Sequence, residues 1–173
     1  MKTSTHYNQV VVVLLLMLLI SSISLKAQTP TNFSGKWQYE KAKSIVDKLE
    51  PDFDGVIILE ITQNAASISF AEIYKRQGAA DWKTSADTYT LDGKEKVTKS
   101  DIGTSKKTAK WSSDKKVLTI TNIDTQTLNG VLQDFIVTDT YSLSTDGKTL
   151  TIERYNKNPV TGETKAKKVY SKK

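Results

Sequence analysis

Residues 32–40 read Asn-Phe-Ser-Gly-Lys-Trp-Gln-Tyr-Glu and carry the clearest strand pattern of the chain. One side of it carries Phe33, Gly35, Trp37 and Tyr39, and the other side is polar. That two-residue period is typical of a β-strand with one buried face. A glycine two residues before a large indole lets another backbone approach beside the ring. We therefore expect an opening strand whose Trp37 fills the base of an antiparallel β-barrel and is the most deeply buried of the three tryptophans.

The rest of the chain from Gly55 onward alternates in the same way between turn signals. Asp92-Gly93, Asn129-Gly130 and Asp146-Gly147 are favoured hairpin dipeptides between such segments. About 8–10 strands in a meander would expose two edges as a flat sheet, and closure removes those edges. The predicted fold is all-β: an antiparallel up-and-down β-barrel, with a two-sheet sandwich as the alternative.

One stretch departs from the strand pattern. In residues 41–54, apolar side chains recur at helical spacing and Pro51 bounds the stretch: Ala42, Ile45, Val46 and Leu49. The pattern predicts one short helix or a lid-like loop after the first strand.

Residues 1–27 are typical of a secretory signal peptide. Lys2 precedes an unbroken apolar run over residues 10–20, and small and polar residues follow up to Ala27. The run is shorter than the roughly 20 residues that span a bilayer, so it predicts no membrane anchor. We expect cleavage after Ala27, a periplasmic or secreted protein, and a single domain over residues 28–173.

Composition excludes several kinds of chemistry. The chain has no cysteine, and its one histidine, His6, and both methionines lie in the predicted leader. Without imidazole, thiolate or thioether there is no zinc, copper or haem site and no Ser-His-Asp triad. A hard cation held by carboxylates stays open, but no Asp-x-Asp-x-Asp-Gly run indicates a calcium loop, and we predict no metal site and no cofactor. Removal of Lys2 and Lys26 lowers the net charge from +6 to +4, which gives nucleic-acid binding little support.

The opening strand resembles a known motif. Gly35-Lys36-Trp37, shortly after Asn32-Phe33, resembles the Gly-x-Trp motif that opens the first strand of lipocalins, and a related form opens the fatty-acid-binding proteins. Arg154 resembles the arginine that packs across that tryptophan in lipocalins. After Tyr155 this chain predicts a hairpin where lipocalins have a helix. The chain is most similar to compact bacterial lipocalin-like domains, which implies a cavity for a small apolar or amphipathic ligand.

The candidate ligand-binding residues are inward-facing positions of the predicted strands: Phe70, Tyr89, Trp111, Phe135, Tyr141 and Arg154. For Arg154 two roles stay open: it neutralises a ligand carboxylate, or it is structural and meets a carboxylate, carbonyls or an aromatic face. For Trp82 the alternatives are the rim of a cavity mouth and a cover over the barrel end. We expect Arg154 to be structural.

The sequence is compatible with three functions. The first is a barrel that binds a small amphipathic ligand without catalysis, so that no catalytic residue is assigned. The second is a filled barrel or sandwich that serves as a surface or protein-interaction module, which a filled interior would support. The third is a glycosidase, which requires Glu72 and Asp139 to face one another across a shared pocket.

Overall fold

The computed structural model describes residues 28–48 and 55–173. Within these residues the chain forms β-strands and one 3₁₀ turn. The strands are β1 (Gly35–Tyr39), β2 (Ile45–Val46), β3 (Gly55–Gln63), β4 (Ser67–Arg76), β5 (Lys83–Thr90), β6 (Lys96–Ser100), β7 (Gly103–Trp111), β8 (Leu118–Leu128), β9 (Val131–Leu143), β10 (Thr149–Asn158) and β11 (Gly162–Lys172). In the same residues, no helix is long and apolar enough to cross a membrane. The predicted all-β class is confirmed.

The strands form one antiparallel up-and-down sheet in the order β5-β4-β3-β1-β11-β10-β9-β8-β7-β6. The first and last strands of this meander pair with each other, with Trp37 opposite Lys172. The short β2 pairs with β11 beside the main path. The hairpin of β10 and β11 closes the chain, as predicted for the part after Tyr155.

The barrel is open along one seam. The edge strands of the sheet are β5 and β6, and among the described residues no backbone ladder joins β5 to β6 or to β7. Side chains cross this seam instead. Lys107 on β7 forms an ion pair with Asp87 on β5, and Tyr89 on β5 hydrogen-bonds to Asn122 on β8. The sheet is thus curled into a barrel shape, and polar side chains rather than main-chain hydrogen bonds hold its two sides together.

The strand connections fall at two ends of the barrel. We call the end that holds Trp37 the base; the β3–β4, β5–β6, β7–β8 and β9–β10 connections lie there. The mouth is the opposite end, with the β4–β5, β6–β7, β8–β9 and β10–β11 hairpins. The chain between β1 and β3 also returns at this end, where Gly55 of β3 is opposite Arg76, and residues 49–54 of it lie outside the described part. This division follows from the alternating direction of consecutive antiparallel strands.

The base is filled by fully buried side chains: Phe33, Trp37, Ile68, Leu118 and Leu150. The Trp37 indole nitrogen donates to the Phe33 carbonyl at 2.9 Å, so its one polar atom is paired. Trp37 is 0% exposed, whereas Trp82 is 50% exposed and Trp111 is partly buried. The prediction that Trp37 is the most buried tryptophan is confirmed.

The expected role of Gly35 needs correction. A Cβ at this position would meet the Lys172 side chain at 3.5 Å and the Trp37 indole nitrogen at 3.7 Å, both ordinary contacts. The nearest described atoms are therefore side-chain atoms, and not a second backbone beside the ring. Glycine suits the position because its φ of +144° is a conformation that L side chains rarely adopt.

The helix predicted in residues 41–54 is wrong for the described part of that stretch. It begins with a 3₁₀ turn, Lys41–Lys43, and continues as β2. Ser44 is extended, and its hydroxyl accepts a hydrogen bond from the Val169 amide at 2.9 Å. The edge of β11 therefore supplies backbone partners that override the helical spacing. Residues 49–54, with Pro51, lie outside the described part.

Candidate functional site

A cavity of about 420 Å³ lies between the filled base and the mouth. The cavity exists because the inward-facing side chains of the strands change from apolar to polar between the base and the mouth. On β10, Leu150 and Ile152 are buried, and the next inward residue is Arg154. On β4, Ile68 and Phe70 are likewise followed by Glu72. Aliphatic side chains thus fill the base, whereas longer polar side chains leave a solvated space above it.

The lining of the cavity combines aromatic rings with charges. Its rings belong to Phe70, Tyr89, Tyr141 and Tyr170. Its charged side chains are Glu72, Asp87, Lys107, Asp124, Asp139, Arg154 and Lys168. Such a surface suits a ligand that has both an apolar part and a polar part.

An ion pair stands at the centre of the lining. Arg154 and Asp139 are direct cross-strand partners on β10 and β9. The Arg154 Nε and Nη2 atoms donate to the two carboxylate oxygens of Asp139, each at 2.7 Å. The Asp139 side chain is 7% exposed and that of Arg154 is 33% exposed. This two-point geometry is the arrangement in which a buried carboxylate is best compensated.

A polar cluster at the seam forms a second part of the lining. The Tyr89 hydroxyl donates to Asp87 at 2.9 Å and accepts a hydrogen bond from the Asn122 amide nitrogen at 2.9 Å. Burial acts to raise the pKa of Asp87, but hydrogen bonds from Lys107 and Tyr89 outweigh it and lower that pKa. Asp87 therefore stays ionised and holds both partners.

The tyrosines of the cavity remain neutral well into the alkaline range. Phe70 packs against Tyr141 with ring centroids 4.9 Å apart and edge-on against Tyr89 at 6.0 Å. Burial raises the pKa of Tyr89, Tyr141 and Tyr170, and the charge of Asp139 raises that of Tyr141 further. Their hydroxyl groups are thus available at neutral pH as uncharged hydrogen-bonding groups.

Four of the six residues predicted for ligand binding line this cavity: Phe70, Tyr89, Tyr141 and Arg154. The other two are not part of its lining. Trp111 lies at the base, stacked on Phe33 with centroids 5.8 Å apart, and Phe135 lies on β9 four residues beyond Asp139 towards the mouth. Ligand binding by the four lining residues stays a prediction.

Sequence reasoning missed several polar lining residues. Lys107 shares its strand face with Ala109 and Trp111, and Asn122 shares its face with Leu118 and Ile120. The two-residue period places both side chains inward, so this signal was present in the sequence. They were overlooked because a polar residue on an inward face is exceptional unless a cavity or a partner is there.

The resemblance of Arg154 to the lipocalin arginine that packs on tryptophan is not realised. Arg154 is level with Ala166 on β11, and Trp37 is level with Lys172. Six residues along one strand separate these levels by about 20 Å. Lys172 takes the position over the indole, with its Nζ 5.5 Å from the ring centroid of Trp37.

Glu72 and Asp139 do line the same cavity. Both carboxylate oxygens of Asp139, however, already accept hydrogen bonds from Arg154, which leaves it poorly suited to act as a nucleophile or a base. Among residues 28–48 and 55–173, no group of three or more acidic or other ligating side chains is arranged to hold a metal ion.

Strand order, base and cavity together define an antiparallel up-and-down β-barrel protein with an internal cavity. No family model matches the chain, and no curated protein matches it in sequence. Among solved structures, it is similar to a zebrafish ileal bile acid-binding protein complexed with cholic acid, with a TM-score of 0.49 and 16% identity over 82% of this chain and 98% of that one. It is also similar to secretory abundant heat soluble protein 4 from Ramazzottius varieornatus, with a TM-score of 0.48 and 12% identity over 85% of this chain and 99% of that one.

Proposed function

We propose that this chain is an exported, lipocalin-like barrel that binds a small amphipathic molecule in its cavity without catalysis. The observation that carries the proposal is the cavity itself. Its volume of about 420 Å³ lies in the range of small-molecule sites, roughly 300–1,000 Å³. A filled interior would support the alternative, a surface or protein-interaction module. In this barrel the filled part is confined to the base.

The lining suggests how such a ligand is oriented. The rings of Phe70 and Tyr141 offer an apolar wall. The hydroxyl of Tyr89 and the amide of Asn122, which bond to each other at 2.9 Å, are uncharged groups whose hydrogen bonds a ligand can exchange. The cations Arg154 and Lys107 are already paired with carboxylates inside the lining. A ligand carboxylate would have to compete with those carboxylates. We therefore expect a polar end that exchanges hydrogen bonds rather than one that requires a dedicated cation.

Native mass spectrometry of the protein purified from its own host tests this proposal. We expect a co-purified molecule that dissociates on activation and leaves the bare chain. The same preparation tests export. Its N-terminal sequence should begin at Gln28, and its polypeptide mass should be that of residues 28–173.

A matched pair of variants locates the binding site. Phe70→Ala enlarges the cavity wall and should weaken retention of the molecule. Val97→Ala changes a side chain 48% exposed on β6, away from the cavity lining, and should leave retention unchanged. Equal retention by both variants would contradict a site in the cavity, as would a ligand-free native protein that also fails to bind a panel of amphipathic probes.

A further inference from the structure

The mouth of the barrel carries large apolar side chains that the rest of the described fold leaves exposed. Each of the four fully described mouth hairpins presents at least one of them: Trp82 (50% exposed), Ile102 (75%), Leu132 (70%) and Val160 (67%). They lie on the β4–β5, β6–β7, β8–β9 and β10–β11 hairpins in that order. The tips therefore form an apolar arc around the opening of the barrel.

The base connections are of the opposite kind. Asp92, Asp114 and Asp146 each accept hydrogen bonds within their own turn, and each is followed two residues later by a lysine whose amide donates to it. The apolar arc is thus specific to the end where the cavity opens.

The β8–β9 tip is apolar on both of its faces. Val131 and Leu132 are consecutive in β9, so they point to opposite sides, and they are 57% and 70% exposed. Leu128 pairs with Val131, four residues beyond Asp124 of the cavity lining, which places the tip about 13 Å further out. A strand that packs on a core needs only one apolar face. Apolar residues on both faces suit a tip that is surrounded by an apolar medium.

The arrangement favours lipid over a rigid protein partner. The apolar residues stand on four separate tips rather than on one flat patch, and a deformable bilayer interface can bury each of them individually. Exposed Lys83, Lys99 and Lys157 lie within three residues of Trp82, Ile102 and Val160. Lysine near a membrane surface is attracted to anionic headgroups, and tryptophan prefers the interface.

We propose that the mouth hairpins insert their apolar tips into the interfacial region of a bilayer, so that the cavity opens towards the membrane surface. An acidic residue lies within three residues of each tip and offsets the charge of the lysines: Asp81, Asp101, Asp134 and Glu163. Insertion of apolar side chains is therefore the main contribution, and added salt should not abolish docking. Docking does not depend on ligand binding, so it stands or falls separately from the proposed function.

Vesicle co-sedimentation tests the docking. The apolar run of residues 10–20 would itself bind lipid, so the assay uses the form of the protein that its own host exports. The first residue of that form is established by N-terminal sequencing. Vesicles of equal parts phosphatidylcholine and phosphatidylglycerol should bind it, and the emission of exposed Trp82 should shift to the blue. Leu132→Ser should lower the partition coefficient about tenfold or more, the effect of losing one buried leucine.

Ile45→Ser is the matched control, because Ile45 is equally exposed, at 71%, but lies on β2 on the barrel wall. It should bind vesicles like the unaltered protein, and both variants should melt like it. The proposal is overturned if no vesicle binding occurs, if both variants bind equally, or if salt alone removes all binding. It is also overturned if Leu132→Ser abolishes self-association in sedimentation velocity while vesicles never bind, since a second copy of the chain would then cover the tips.

Discussion

Arg154 on β10 and Asp139 on β9 face each other directly across the sheet, and both oxygens of the carboxylate accept a guanidinium hydrogen bond at 2.7 Å. The pair sits where the apolar base gives way to the cavity, so it closes the core and lines the site at once. Substitutions in this pair, in the base, among the tyrosines and at the seam should therefore have distinct effects on stability.

Arg154→Ala should lower the free energy of unfolding by about 2–3 kcal/mol. The reason is that Asp139 would remain buried without a counter-charge, and the cost is below that of a fully buried pair because Arg154 is partly exposed. Urea unfolding measures this loss. Affinity for a fluorescent fatty-acid probe should stay unchanged, as expected for a structural role.

A double-mutant cycle with Asp139→Asn serves as the control for that prediction. The double variant should recover part of the stability lost in Arg154→Ala, because no buried charge then lacks its partner. An unaltered melting temperature together with lost probe binding would instead identify Arg154 as a ligand anchor.

Trp37→Ala should destabilise the protein by about 3–5 kcal/mol, because it empties the base of its largest fully buried side chain. Trp82→Ala removes the same side chain from a half-exposed position and should change stability by no more than about 0.5 kcal/mol. Chemical denaturation of the two variants in parallel provides the measurement. Comparable losses in both would show that Trp37 does not fill the base.

Stability should decline at alkaline pH because of the buried tyrosines. The pKa values of Tyr89, Tyr141 and Tyr170 are raised in the folded protein, first of all by burial. The unfolded chain therefore loses these protons first, from about pH 10 upward. The stabilisation is fully present below that pH and is lost as the pH rises towards the folded values.

Unfolding midpoints measured on both sides of pH 10, together with ultraviolet titration of the native protein, check this dependence. Tyr141→Phe should flatten the alkaline decline, since it removes one of the three groups responsible. A native protein in which every tyrosine ionises near its ordinary pKa would contradict the burial of these rings.

Asp87→Asn should increase local opening at the seam, whereas the free energy of unfolding of the whole protein should change only slightly. The variant loses the charge attraction to Lys107, and since the two side chains are 39% and 33% exposed, the cost should be about 0.2–1 kcal/mol. Amide hydrogen exchange of β5 should nonetheless accelerate, because the described strands β5 and β7 are not joined by a backbone ladder.

Asp146→Asn is the matched change for the seam, since it alters an aspartate in the β9–β10 turn at the base. It should have a comparable effect on stability without faster exchange in β5. Identical exchange patterns in the two variants would mean that the Asp87–Lys107 pair does not hold the seam.

The local geometry of this protein could be predicted from its sequence. The unbroken alternation around Trp37, the hairpin dipeptides and the closing β10–β11 hairpin are properties of short segments, because side-chain direction in a strand has a fixed period of two. The same period indicated that Arg154 and Asp139 point inward. An inward arginine is unstable alone in a core, so a carboxylate, carbonyls or an aromatic face had to meet Arg154, but the period did not decide which of these it is.

Which atoms those inward residues contact depends on how distant strands pair in the folded barrel. Whether Arg154 or Lys172 reaches Trp37 depends on the pairing of β1 with β11, two strands from opposite ends of the chain. Trp111 and Tyr141 are inward aromatics on one row of the sheet, both opposite Leu118, yet Trp111 stacks on Phe33 in the base and Tyr141 lines the cavity. Strand pairing also gave Ile45 and Val46 a sheet edge to join in place of a helix. The register between distant strands depends on the pairings of all strands in the barrel, so it cannot be predicted from any single segment.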